Sequence, residues 1–139
     1  MKKGLFAVII SLVLVISFQT KIGFAINEPT QDSEDLRLQD MLMLVLTPYI
    51  EKDLNSYYYP KIFRDVTPHV TPWKIEVIET RRVNHFRGFI LQITFDIEPT
   101  DGGHWIPIGK DRMTYEISSG PKVKLINHTH LKTYEYPQE

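Results

Sequence analysis

No cysteine occurs in the chain. That excludes disulfides, thiol catalysis, thiolate metal sites and the acylated cysteine of a bacterial lipoprotein anchor. There is no P-loop, no dinucleotide fingerprint and no Ser/His/Asp spacing of a nucleophilic triad, so no cofactor is expected. Excess positive charge is missing too. Without Lys2, Lys3 and Lys21, 13 basic residues face 17 acidic ones, a balance of −4. Such a chain has no electrostatic footprint for nucleic acid. Internal repeats and low-complexity tracts are also absent. What remains is ordinary for a packed domain: 139 residues, 42% hydrophobic and 24% charged, enough for one core and no more.

Long apolar runs are limited to one. Met1-Lys2-Lys3 is followed by an almost unbroken apolar stretch from Leu5 to Phe18, then by Gln19-Thr20-Lys21 and the small residues Gly23 and Ala25. Charge, apolar run and small-residue exit in that order predict a secretory signal peptide over residues 1–25. The run is shorter than the ~20 residues that span a bilayer. The alternative is an uncleaved anchor, and membrane contact is expected only in that case. Residues 26–32 read as a flexible leader, 33–132 as a single domain and 133–139 as a fraying tail.

Ser33 and Asp32 are candidate N-caps, with Glu34 and Asp35 in the first turn. Leu38, Met41, Leu42, Val45, Leu46 and Tyr49 then follow helical spacing. Met41 to Leu46 is apolar all round, which predicts a helix gripped on more than one side. Pro48 is expected to kink this helix, or to restart it with Thr47 as cap. The run Tyr57-Tyr58-Tyr59 closes the segment, either as cover for one end of the core or as an aromatic rim for a partner.

Four strand signals follow. The first is Trp73 to Val83, with Trp73, Ile75 and Val77 on one face and a turn at Asn84-His85. In the second, Phe89, Leu91, Ile93, Phe95 and Ile97 point one way and Gln92, Thr94, Asp96 and Glu98 the other. Met113, Tyr115 and Ile117 face inward on the third, and Val123, Leu125 and Leu131 on the fourth. The expected class is α+β: one long, Pro-kinked N-terminal helix packed on a four-stranded antiparallel meander sheet. The element order matches a cystatin-like two-layer arrangement, a likeness that carries no function.

The densest chemistry lies between the second and third strands, in Asp101-Gly102-Gly103-His104-Trp105-Ile106-Pro107-Ile108-Gly109. Two glycines permit positive φ or close approach, Pro107 stiffens the exit, and His104 beside Trp105 sets an imidazole against an apolar wall. Asp101, Gly102, Gly103, His104, Trp105, Pro107 and Gly109 are therefore the candidate binding residues. The competing expectation is that the loop merely shapes a long hairpin. His128 and His130 share one strand face, but Lys122, Lys124, Ile126 and Lys132 are read on that same face and no carboxylate is near in sequence. No metal site is expected there. Asp96, Glu98, Asp101 and Asp111 are read as solvated surface carboxylates; the alternative is an acid/base dyad of the wet-face pair Asp96 and Glu98 with Asp111 or Glu116.

Three patterns together resemble a known family. They are Leu46-Thr47-Pro48-Tyr49-Ile50-Glu51-Lys52 running into Tyr57-Tyr58, the alternating strand Phe89 to Phe95, and Gly103-His104-Trp105-Ile106-Pro107-Ile108-Gly109 leading to Asp111-Arg112-Met113-Thr114-Tyr115. The family comprises small exported proteins of spore-forming, Bacillus-type Gram-positive bacteria, classed as a domain of unknown function. The resemblance spans about Asp35 to Leu131 and implies export and this fold, with no activity to carry over. The family loop tends to read Gly-Ala-His-Asn-Pro-Pro-Tyr-Gly, and the present loop lacks its asparagine, first proline and tyrosine.

Two functions are expected from these residues. The first is an exported, non-catalytic interaction domain whose 101–109 loop, together with the Thr71–Trp73 edge, meets another extracytoplasmic protein or an envelope component. The alternative is a small-ligand binder or enzyme with a helix–sheet pocket and His104 as acid/base.

Overall fold

Ser33 opens the helix, its Oγ accepting the Leu36 N–H at 3.1 Å. Glu34 and Asp35 supply the negative first turn that the helix dipole favours. The computed structural model describes residues 32–120 and 122–137. The expected signal peptide, and the leader up to residue 31, lie outside the described residues.

Helix α1 spans Glu34–Tyr58 without a break at Pro48. Thr47 does not cap a second helix; its Oγ1 donates to the Met43 carbonyl at 2.8 Å inside the same one. The buried stripe is Met43, Leu46, Ile50, Leu54 and Tyr58, a three- to four-residue repeat down one face. Leu38, Met41, Leu44, Val45 and Tyr49 stay exposed. The helix is therefore gripped on one side. An all-apolar stretch contains several helical stripes, and periodicity alone cannot choose among them.

After a cis Tyr59–Pro60 peptide the chain runs irregularly to a 3-10 turn, Pro72–Lys74. Trp73, read from sequence as the start of a strand, sits on that turn, largely in solvent. The strands are β1 (Glu76–Arg82), β2 (Ile90–Ile97), β3 (Gly109–Ser118) and β4 (Lys122–Thr133). They form one antiparallel sheet in the order β1-β2-β3-β4. This is the α+β helix-then-meander architecture read from the sequence.

One sheet face is dry. Ile93, Phe95, Ile97, Met113 and Tyr115 are buried with the helix stripe, and Phe95 stacks on Tyr115 at 5.9 Å. Phe89 and Leu91 share that alternation but lie beyond the core and are exposed. The other face carries a polar ladder. The Arg81 guanidinium donates to Gln92 Oε1 at 2.6 and 2.9 Å, and Gln92 Nε2 donates to Glu116 at 2.9 Å. Arg112 binds both oxygens of Asp96 at 2.6 and 2.9 Å. Asp96 is thus buried under its partner, not solvated, and the Arg112 hydrogen bonds hold its carboxyl below the usual range.

Two irregularities reset the side-chain phase of β4. Tyr115 pairs with Leu125 but Thr114 with Asn127, so Ile126 is an extra residue. A bulge of one residue turns everything after it to the opposite face. Before Ile126 the inward residues are Val123 and Leu125; after it they are His128 and His130, opposite Met113 and Asp111. The sequence reading of these histidines on the lysine face is corrected by that single insertion. Two tyrosines in the expected tail are hydrogen-bonded. The Tyr134 hydroxyl donates to Glu98 at 2.8 Å and the Tyr136 hydroxyl to Asp101 at 2.8 Å.

Candidate functional site

Beyond Ile97 the chain pairs briefly with an earlier segment. His69 and Thr100 exchange backbone hydrogen bonds at 2.8 and 2.9 Å, and the Ile108 N–H donates to the Pro99 carbonyl at 2.9 Å. The loop between these anchors is organised by one carboxylate. Asp101 Oδ1 accepts the His104 N–H at 3.0 Å and the Ile106 N–H at 3.1 Å. Asp101 Oδ2 accepts the Tyr136 hydroxyl at 2.8 Å and lies 3.3 Å from His104 Nδ1. Burial opposes the charge, yet the bonds from Tyr136, Ile106 and His104 outweigh it and draw the Asp101 carboxyl down to about 2.

That pinning forces two residues into the left-handed region, Gly102 with φ of 72° and Trp105 with φ of 61°. Glycine bears this at no steric cost; tryptophan does not, and only the surrounding bonds keep it there. Trp105 is 54% exposed. Its ring meets the His69 ring edge-on at 5.4 Å, and His69 Nδ1 lies 2.9 Å from Glu51 Oε1 of the helix. The indole is presented to solvent on a seat that runs back to α1.

His104 is also exposed. An open groove of about 630 Å³ lies beside it, walled by Phe63, Val66, Ile106 and Tyr136, with Arg64 and Asp65 at its rim. The concavity is therefore between the loop and two connecting segments, while the space between helix and sheet is filled by core side chains. The remaining candidates divide. Gly103 and Pro107 are exposed, and a Cβ on Gly103 would meet nothing within 4 Å. Gly109 is buried at the start of β3. A Cβ there would collide with the Tyr58 hydroxyl and stand 2.7 Å from the Lys132 carbonyl oxygen, so this glycine serves packing and not presentation.

A second cluster escaped the sequence reading. Asp111, fully buried, accepts the Tyr58 hydroxyl on Oδ2 at 2.6 Å. Its Oδ1 is 2.8 Å from both His128 Nε2 and His130 Nδ1. An ionised carboxylate only accepts, so both imidazoles turn an N–H toward it. The Tyr57 ring packs 4.6 Å from His128 and 5.3 Å from His130. Burial and then the Asp111 bond push the Tyr58 phenol well above its ordinary range. Among the described residues no group of three or more His, Cys, Asp or Glu is arranged to hold a metal ion. The cluster is a satisfied buried carboxylate that joins α1, β3 and β4. The only signal for it in the sequence was the two-residue histidine spacing, hidden by the bulge.

Residues 38–132 match a family model described as Protein of unknown function (DUF3888). No curated protein matches, and no solved structure does.

Proposed function

The chain belongs to the DUF3888 family, whose description names no activity, and we propose that it is an exported, non-catalytic binding domain. Its partner is another extracytoplasmic protein or an envelope component, met through the Asp101–Gly109 loop. The observation that carries this reading is Trp105, exposed yet locked at positive φ by a loop pinned on Asp101. A tryptophan fixed before binding loses little freedom on contact, and large rigid aromatics supply most hot-spot energy at interfaces. Export is supported by the Lys2-Lys3 start, the apolar run and the Gly23/Ala25 exit. It is supported too by the resemblance to exported proteins of spore-forming Gram-positive bacteria. The test is capture from envelope and culture fractions with the native chain beside His104→Ala/Trp105→Ala. A protein retained only by the native chain supports the reading; one retained equally by both removes the loop from it.

A second reading is favoured by the groove beside His104. With Nδ1–H directed at Asp101, the Nε2 atom is left as the basic nitrogen, the arrangement of an oriented general base. A small molecule with an apolar body would lie against Phe63, Ile106 and Tyr136. Thermal-shift screening of the native chain and His104→Ala separates the two readings. A ligand whose shift disappears in His104→Ala supports the groove, and no shift with any ligand leaves the protein partner.

A further inference from the structure

The sheet has two ends, and they differ in chemistry. Antiparallel pairing sets the β1–β2 turn, residues 83–89, beside the β3–β4 turn, because Ile90 pairs with Ser118 and Ser118 with Lys122. The Asp101–Gly109 loop follows Ile97 at the opposite end. On the β1–β2 turn Phe86 is 92% exposed, Phe89 65%, and Val83 is exposed as well. Arg81, Arg82 and Arg87 accompany them, with Lys122 and Lys124 on β4 beyond the intervening β3. Residues 80–95 and 117–125 contain no Asp or Glu, and the nearest carboxylate on this part of the sheet is Glu116, across from Lys124. A chain acidic elsewhere concentrates cations and aromatics at this one place.

The turn also closes several of its own polar groups. The Val83 N–H donates to the Ile90 carbonyl at 2.9 Å and the Gly88 N–H to the His85 carbonyl at 2.7 Å. The Ile90 N–H donates to Asn84 Oδ1 at 3.0 Å, and the Arg82 guanidinium donates to the Gly88 carbonyl. A Cβ on Gly88 would overlap the Asn84 side chain, so glycine makes room for the carboxamide that completes the turn. Each bond made from within lowers the cost of bringing this backbone to the headgroup boundary, where water remains for the rest.

We propose that the 83–89 turn is a membrane-docking tip for an anionic lipid surface. Phe86, Phe89 and Val83 enter the boundary between headgroups and acyl chains, and Arg82, Arg87, Lys122 and Lys124 sit among the phosphates. Charge complementarity favours lipid as the occupant. The groove that would receive a protein segment lies at the other end of the sheet, while a fluid surface asks only for apolar side chains ringed by cations. Strands of 8 to 10 residues would then hold the 101–109 loop about 30 Å from the surface.

The lack of native cysteine permits one unambiguous label on the full chain. A nitroxide on His85→Cys keeps both phenylalanines, and one on Gly103→Cys reports the far end. With phosphatidylglycerol-containing vesicles, the label at 85 is expected to gain contact with oxygen and lose contact with a water-soluble nickel chelate. The label at 103 is expected to remain aqueous. The apolar N-terminal run can bring the whole chain to a vesicle, but it cannot place position 85 in lipid. Phe86→Ser/Phe89→Ser should abolish the lipid signal at 85. Arg87→Gln and Lys122→Gln should each lower the partition coefficient of the tip, read from the lipid signal at 85 against anionic-lipid concentration, about fivefold. The proposal is overturned by an aqueous label at 85 on anionic vesicles. It is equally overturned by a lipid signal as strong on pure phosphatidylcholine, or by spin–spin broadening at 85 without lipid, which would make the tip a contact between copies.

Discussion

Tyr58 at the C-terminal end of α1 and Asp111 on β3 share a buried 2.6 Å hydrogen bond across 53 positions of sequence. The pairing is reciprocated one turn earlier, where the Tyr115 hydroxyl of β3 donates to Asp53 of the helix at 2.7 Å. Helix and sheet are thus joined by two crossed Tyr–Asp bonds, and Asp111 further collects His128 and His130 of β4. Tyr58→Phe is expected to cost about 1.5–3 kcal/mol, the range for a hydrogen bond to a charged group. Asp111→Asn should cost more, because the amide leaves one accepting oxygen for three donors and turns an NH2 group against at least one of them. Urea unfolding of both variants checks the order, and an Asp111→Asn protein as stable as the native one would contradict it.

The pinned loop makes a prediction in acid. Asp101 titrates at about 2 in the folded chain against an ordinary 3.8. The folded carboxyl is the stronger acid, so the unfolded chain binds more protons in this window and stability drops as pH drops. The contribution is complete above about pH 4 and is lost as pH drops through about 2. Asp101→Asn should be less stable at neutral pH and show a flatter decline over that window. Asp96 adds a fall of the same sign, so the comparison is between slopes and not with zero.

Two glycines of the same motif should behave oppositely. Gly109→Ala drives a methyl group into the Tyr58 hydroxyl and the Lys132 carbonyl, and overpacking of this kind costs about 1–3 kcal/mol. Gly103→Ala meets open space and should stay within about 0.5 kcal/mol of the native chain. Thermal melts of the two proteins decide it.

Much of the architecture was legible because its signals are local. Alternation over Ile93, Phe95 and Ile97, the Ser33 cap with Glu34 and Asp35, and the order of helix and strands each follow from neighbours in sequence. The choice of helix face was not, since Leu38, Met41 and Val45 have the same spacing as the stripe that is buried. The histidine–aspartate cluster was hidden for a different reason. One extra residue, Ile126, inverts the facing of His128 and His130, and no feature of the sequence marks a bulge there. At the loop, residue types pointed to Trp105 and His104, but the organising role of Asp101 depends on Tyr136, 35 positions away.

The binding role of the loop is tested most directly by photocrosslinking in producing cells. A benzophenone side chain at Gly103, where nothing stands within 4 Å, leaves Trp105 in place, and one at Leu44, on the exposed face of α1, serves as reference. A discrete protein adduct is expected from position 103, absent from position 44 and lost when Trp105→Ala is added. No adduct at 103, or one that persists unchanged without the tryptophan, would contradict a binding loop built around Trp105.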